Sequence, residues 1–160
     1  MTGFRLGYLA APAPLAAACV KVQSQNTSSP CSVSQHAAIA ALRTPDKAWM
    51  TNALAGYRKK RDYVIGRLRS MPGVTHAYDP QGAFYAFPTV SGLFGKTTPQ
   101  GKKLTSSNDV CLYFIEECLV ACVPGEAFGD ARCLRITFAE SLETLKTAYD
   151  RMEKGIKALK

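Results

Sequence analysis

The chain has 160 residues, a formal net charge of +8, 47% hydrophobic and 20% charged residues. A chain of this length buries one core, or one and part of another, and the composition is that of a soluble globular protein. No apolar run reaches the ~20 residues that span a bilayer, and the first residues show no basic segment leading into an apolar one, as a secretory signal would.

The opening stretch, Met1-Thr2-Gly3-Phe4-Arg5-Leu6-Gly7-Tyr8, sets a cation between two glycines in an otherwise apolar run. Residues 5–8 read as a buried strand. A buried guanidinium is costly unless an anion neutralises it. Two readings stay open: an arginine ion-paired with Asp or Glu at a sheet edge, or an anion site whose glycines admit a ligand. Ala10-Ala11-Pro12-Ala13-Pro14 then breaks regular structure. Residues 15–22 predict a short helix, and the polar run Gln23-Ser24-Gln25-Asn26-Thr27-Ser28-Ser29-Pro30 predicts an exposed loop.

Ser32 or Ser34 is expected to cap a helix through residues 37–42. Thr44-Pro45-Asp46 reads as the start of the next helix, with Thr at the cap, Pro at the first position and an acid in the first turn. Its apolar positions Trp49, Leu54, Tyr57, Val64, Ile65 and Leu68 recur at near-helical spacing, and Met71-Pro72-Gly73 ends it. Residues 74–78 alternate as a strand, Asp79-Pro80-Gln81-Gly82 is a turn, and residues 83–87 form a second strand, giving a hairpin with an aromatic core. His76 reads as a surface strand histidine.

Residues 91–107, rich in Gly, Ser, Thr, Lys and Pro, predict a mobile surface loop. Ser107-Asn108-Asp109 starts a helix through Leu119, a short buried strand covers residues 120–123, and Glu126-Ala127-Phe128-Gly129 is a loop between glycines. In Cys133-Leu134-Arg135-Ile136-Thr137-Phe138-Ala139, an arginine again sits in an apolar run. It reads either as a snorkelled or edge-strand arginine or as a bidentate carboxylate clamp, for which a planar fork suits better than an ammonium. Ser141 caps a last helix whose Leu142, Leu145, Tyr149, Met152, Ile156 and Leu159 make an amphipathic stripe facing a core. The later strands are expected to form one small mixed sheet with helices on one side.

The positive charge favours anionic partners in general. The basic residues are dispersed, however, as in Arg58-Lys59-Lys60-Arg61, Lys96 and Lys102-Lys103. They are not interleaved with aromatics and match no nucleic-acid motif, so they read as solvated helix faces; neither nucleic acid nor membrane is an expected partner. The six cysteines are irregularly spaced and mostly in apolar contexts, as free thiols are. Cys118 and Cys122 are four apart, but only His36 and His76 are at hand to complete a zinc site, and no metal is expected.

Several of these motifs carry a resemblance that covers nearly the whole chain. The opening octapeptide, the Gln23-to-Pro30 run, Gln81-Gly82-Ala83-Phe84-Tyr85, Val123-Pro124-Gly125-Glu126-Ala127-Phe128-Gly129-Asp130 and Arg135-Ile136-Thr137-Phe138-Ala139 resemble the C-terminal part of fold-type I pyridoxal-phosphate aminotransferases. The likeness is to the aspartate aminotransferase family, in its aspartate/prephenate branch. It implies an α/β fold of the aspartate aminotransferase type, with the end of a large domain (1–44), a connecting helix (45–70) and an α+β small domain (71–160). It implies a cofactor, pyridoxal 5'-phosphate, with Arg5 on its phosphate. It further implies Arg135 on the substrate α-carboxylate, Phe84 on the substrate side of the cofactor pocket, and Ser24 in a segment reaching the partner site of a homodimer. Ser24 falls where some relatives place an arginine for a distal carboxylate.

The Schiff-base lysine of that family precedes the position of Met1, so no catalytic residue is expected in this chain. The chain is expected to be the C-terminal part of a longer enzyme and inactive alone. The implied reaction moves an amino group between an amino acid (aspartate, glutamate, or the prephenate/arogenate pair) and a 2-oxo acid. The implied compartment is intracellular: cytoplasmic, or plastid in a plant or alga. Departures are Phe4 for the usual Trp, Ser29 for the common Asn, and Thr137-Phe138 for Ser-Tyr. The alternatives are a non-catalytic basic binding or dimerisation module, and another fold-type I enzyme such as a carbon–sulfur lyase or one resembling aminocyclopropane-carboxylate synthase.

Overall fold

The structure, a computed structural model, describes residues 1–160 apart from Asp46 and Ala77. It divides into two compact units, Met1–Trp49 and Met50–Lys160. In the first, a 3-10 turn (Thr2–Phe4) precedes helices α1 (Ala13–Asn26) and α2 (Ser32–Arg43). The strand expected at residues 5–8 does not form. Arg5 closes the turn with a left-handed backbone, φ 51° and ψ 41°, and Tyr8 and Leu9 are exposed. A strand needs a neighbour for its N–H and C=O groups, and no described segment pairs with this one.

α1 runs on to Asn26, through half of the polar run expected to be a loop. The Ser24 hydroxyl donates to the Lys21 carbonyl (2.9 Å) and the Gln23 amide to the Thr27 hydroxyl. Such polar side chains mark an exposed face, which a helix also has. Cys31, rather than a serine, takes the cap position of α2, and Ser32 is already helical. Thr44, expected to open the next helix, instead closes α2: its N–H and hydroxyl donate to the Ala40 carbonyl at 3.0 and 2.8 Å. Helix α3 (Ala48–Ser70) therefore begins later, and Asp46, assigned to its first turn, lies outside the described residues. α3 ends where expected, with Gly73 turning at φ 76°.

The second unit holds the core. Val64, Ile65 and Leu68 of α3, Val110 and Phe114 of α4 (Ser107–Glu117), and Leu145, Tyr149, Met152 and Ile156 of α5 (Leu142–Ala158) join Leu134 and Ile136 in one buried cluster. Burial of each such side chain contributes on the order of 1.5–3 kcal/mol. The α5 stripe and its Ser141 cap, which accepts the Thr144 N–H at 3.0 Å, match the sequence reading. At α4, Ser106 accepts the Asp109 N–H (3.2 Å), while the Asp109 carboxylate accepts from the N–H and hydroxyl of Thr105 (2.9 and 2.7 Å). These bonds hold the Asp109 carboxyl down at about 2.

Strands β1 (Tyr85–Ala86), β2 (Val123–Pro124) and β3 (Leu134–Thr137) form a sheet in the order β1-β3-β2. Both pairings are antiparallel, not mixed: Tyr85 faces Thr137, Ala86 faces Ile136, Val123 faces Arg135 and Pro124 faces Leu134. Among the described residues, the expected hairpin of residues 74–78 with 83–87 does not form. β1 pairs with β3, and Thr75 exchanges backbone bonds with Thr89 (2.9 and 2.8 Å); Ala77 lies outside the described residues.

His76 is buried, at 8% exposure, against Tyr78, with ring centroids 5.5 Å apart. It is not a surface residue, and burial, then the charge of Arg69, lowers its pKa. Residues 91–107 are fastened rather than mobile. Leu93 and Leu104 are fully buried, and Thr97 exchanges two backbone bonds with Lys160, both 2.9 Å. Among the described residues, no helix is long and apolar enough to cross a membrane.

Candidate functional site

Alternation along β3 separates two faces. Leu134 and Ile136 point into the core, and Arg135 and Thr137 point the other way. The register sets Val123 beside Arg135 and Tyr85 beside Thr137 on that second face. With Ala121 and Cys122, these four residues line a recess of about 280 Å³. Arg135 stands on the central strand, which rules out the edge-strand reading.

The guanidinium of Arg135 lies over two rings. Its Cζ is 4.6 Å from the Tyr85 ring centroid and 4.4 Å from that of Phe128. No carboxylate among the described residues pairs with it. Four other arginines of the same unit are paired: Arg61 with Asp62 (2.8 Å), Arg67 with Asp150 and Glu153 (2.7 and 2.9 Å), Arg69 with Asp79 (2.9 Å) and Arg132 with Asp130 (2.7 Å).

Phe128 comes from a 3-10 turn, Gly125–Phe128, that Gly129 closes at φ 88°. The Gly125 N–H donates to the Cys133 carbonyl (2.8 Å) and fastens the turn to the strand that carries Arg135. Each ring is backed by another. Phe87 packs edge-on against Phe128 (6.2 Å), and Phe84 lies 4.6 Å from Tyr85 and stacks on Tyr57 of α3 at 6.3 Å. Phe84 thus sits behind Tyr85, and Tyr85 is the ring that lines the recess. The Cys122 thiol in the recess wall is pushed up to about 12 by burial, with the Cys111 and Cys118 thiols adding to it.

In the first unit Arg5 is exposed. Its guanidinium donates to the Thr2 carbonyl at 3.4 Å and pairs with no carboxylate among the described residues. Ser24 is exposed on α1. All six cysteines are free thiols, and among the described residues no group of three or more His, Cys, Asp or Glu side chains is placed to hold a metal ion. The sequence singles out Arg135 but assigns nothing to Tyr85, Phe128 or Cys122. Strand alternation is the available signal for Tyr85: if Ala86 faces the core, Tyr85 faces away from it.

The fold is that of an α/β protein of the aspartate aminotransferase type. A crystal structure of the aspartate aminotransferase from Rhizobium meliloti matches all of this chain and 40% of its own, with a TM-score of 0.87 and 39% identity. The family model for aminotransferase class I and II matches residues 1–152, and the chain belongs to that family. An aspartate aminotransferase of Pinus pinaster is 42% identical over 100% of this chain and 33% of its own length. An aspartate/prephenate aminotransferase of Cereibacter sphaeroides is 42% identical over 96% of this chain and 38% of its own. The chain spans about a third of the length of such curated relatives.

Proposed function

We propose that this chain supplies the substrate-carboxylate and cofactor-phosphate contacts of a pyridoxal-phosphate-dependent aminotransferase acting on an amino acid and a 2-oxo acid. The observation that carries the reading is Arg135: a guanidinium on the central strand, open to a recess and with no carboxylate partner among the described residues, whereas Arg67 and Arg132 of the same unit spend their forks on carboxylates. A planar carboxylate takes two parallel N–H bonds from such a fork, and the apolar walls of Val123 and Ala121 strengthen the pair by excluding water. The bound α-carboxylate would thereby be fixed in position while the amino group is presented to the cofactor.

Arg5 fits a phosphate. Among the described residues its guanidinium makes one long bond, to the Thr2 carbonyl, which leaves its fork open for an anion. When bound, pyridoxal phosphate supplies the electron sink for loss of the substrate Cα proton. The lysine that would hold it is assigned, by the family resemblance, to sequence before Met1. Phe84 would support the pocket wall from behind Tyr85. In a homodimer of the kind the family resemblance implies, the exposed Ser24 segment of α1 would approach the partner's site.

Two experiments test this. In an enzyme completed by the lysine-bearing part of the fold, Arg135→Lys is expected to raise KM for several amino acids together; an unchanged KM refutes the clamp. In the chain itself, borohydride reduction with pyridoxal phosphate is expected to label surface lysines weakly and diffusely. Stoichiometric label at one lysine refutes the placement of the cofactor lysine outside this sequence.

A further inference from the structure

We propose that Tyr85 and Phe128 are positioning residues that hold the Arg135 fork in its carboxylate-binding orientation. The inference rests on the reading of Arg135 as a carboxylate site and adds how an unpaired arginine keeps its place.

A guanidinium has two kinds of surface. Its edge carries the N–H donors that match a carboxylate, and its faces attract aromatic π-clouds. Arg67 also lies over a ring, that of Tyr63 at 5.8 Å, but its edge is taken by Asp150, Glu153 and the Tyr63 hydroxyl, and it has no fork left for a ligand. Arg135 is held by ring contacts instead, with Cζ 4.6 and 4.4 Å from the Tyr85 and Phe128 centroids. No described group hydrogen-bonds to its N–H donors, so ring contacts fix the side chain and leave the edge available.

The rings are themselves fixed. Behind Tyr85 stand Phe84 and Tyr57, and Lys60 lies 5.2 Å over the Tyr57 ring while donating to the Ala139 carbonyl (3.2 Å). Behind Phe128 stands Phe87. The stack therefore connects α3, β1 and the turn after β2 to one arginine. A guanidinium already held by its rings loses less entropy when a carboxylate binds.

The test is made by NMR on the 160-residue chain, following the Arg135 Nε–H and Cδ protons, with acetate as the probe. Tyr85 and Phe128 are 37% and 45% exposed, so Tyr85→Leu and Phe128→Leu should fold; unchanged Arg67 signals verify this. In the free chain the Arg135 protons are expected upfield from ring currents, and each leucine variant should move them back toward random-coil positions, while Tyr85→Phe should not. Acetate affinity is expected to fall roughly two- to fivefold in each leucine variant, the change carried by a cation–π contact of ordinary strength, and to recover in Tyr85→Phe. Leucine variants that leave the Arg135 shifts or the affinity unchanged overturn the proposal. A native chain that shows the upfield shifts, loses them in the variants, and yet binds no acetate refutes the carboxylate reading of Arg135 and leaves the ring clamp standing.

Discussion

Gly125 stands where the turn bearing Phe128 is drawn against the strand bearing Arg135, and Gly125→Ala should break that attachment. A Cβ built there would lie 2.2 Å from the Asp130 carbonyl oxygen and 2.4 Å from that of Cys133. The nearer contact is ~0.8 Å short of the ~3.0 Å that carbon and oxygen keep in close-packed interiors. Both neighbours are backbone atoms, so no side chain can rotate away, and the turn itself must shift. Overpacking of this kind costs about 1–3 kcal/mol. Losing the Gly125 N–H bond to the Cys133 carbonyl adds about 1 kcal/mol. With a urea slope of about 1–2 kcal/mol/M for a unit of this size, the midpoint of the chain should fall by at least about 1 M. Far-UV circular dichroism would follow the transition. Gly129→Ala is the comparison: it sits at φ 88° in open space, and should cost only the left-handed backbone penalty of about 1–2 kcal/mol. A Gly125→Ala midpoint equal to that of the native chain would refute the argument.

Three further outcomes follow from the same packing. His76, whose pKa burial lowers, is more easily protonated in the unfolded chain, so its contribution to stability is present above about pH 6.5 and is lost as pH falls below it; melting temperature should drop from pH 7.5 to 5 more steeply in the native chain than in His76→Gln, and parallel curves would refute this. Asp109 behaves likewise at lower pH: held at about 2 when folded, it should lend stability that disappears as pH falls from about 4 to 2, a limb that Asp109→Asn flattens, while Ser106→Ala should cost about 1 kcal/mol in a urea melt. Among the thiols, Cys31 is exposed and lowered by the backbone N–H groups of Ser34 and Val33, whereas Cys111 and Cys122 are raised by burial to about 11 and about 12; iodoacetamide at pH 8 should alkylate Cys31 first and the other two only after unfolding, as mass spectrometry of peptides would show.

Much of the second unit is legible in the sequence because its signals are local. The α5 stripe repeats at three and four residues, and Ser141 stands at its cap. The alternation of β3 is enough to put Arg135 on the face opposite Leu134 and Ile136. Sequence and structure part where a local pattern has two meanings or lacks its partner. The apolar run at residues 5–8 has the composition of a strand, but nothing in the described chain supplies a neighbouring strand. Polar residues 23–26 mark exposure and so suggest a loop, although a helix face is equally exposed. Leu93, in a short Leu-Phe pair between glycines, and Leu104, flanked by lysines and threonine, give no periodic sign that they anchor residues 91–107 in the core. The surroundings of Arg135 are least legible. Tyr85 is fifty residues away in the chain and reaches it only through the pairing of β1 with β3, a non-local register that no short window of sequence contains.

The central claim is that Arg135 is the cation of this recess kept free for a carboxylate. Titration of the 15N-labelled chain with 2-oxoglutarate, read at the arginine Nε–H and backbone N–H resonances, tests it most directly. A saturable shift is expected at Arg135 and at the backbone N–H groups of Val123 and Thr137 in the same recess, the backbone shifts being abolished in Arg135→Gln, with Arg67 and Arg132 unmoved because their forks are already on Asp150, Glu153 and Asp130. Small, non-saturating shifts shared by all the arginines, or saturable backbone shifts that persist in Arg135→Gln, would contradict it.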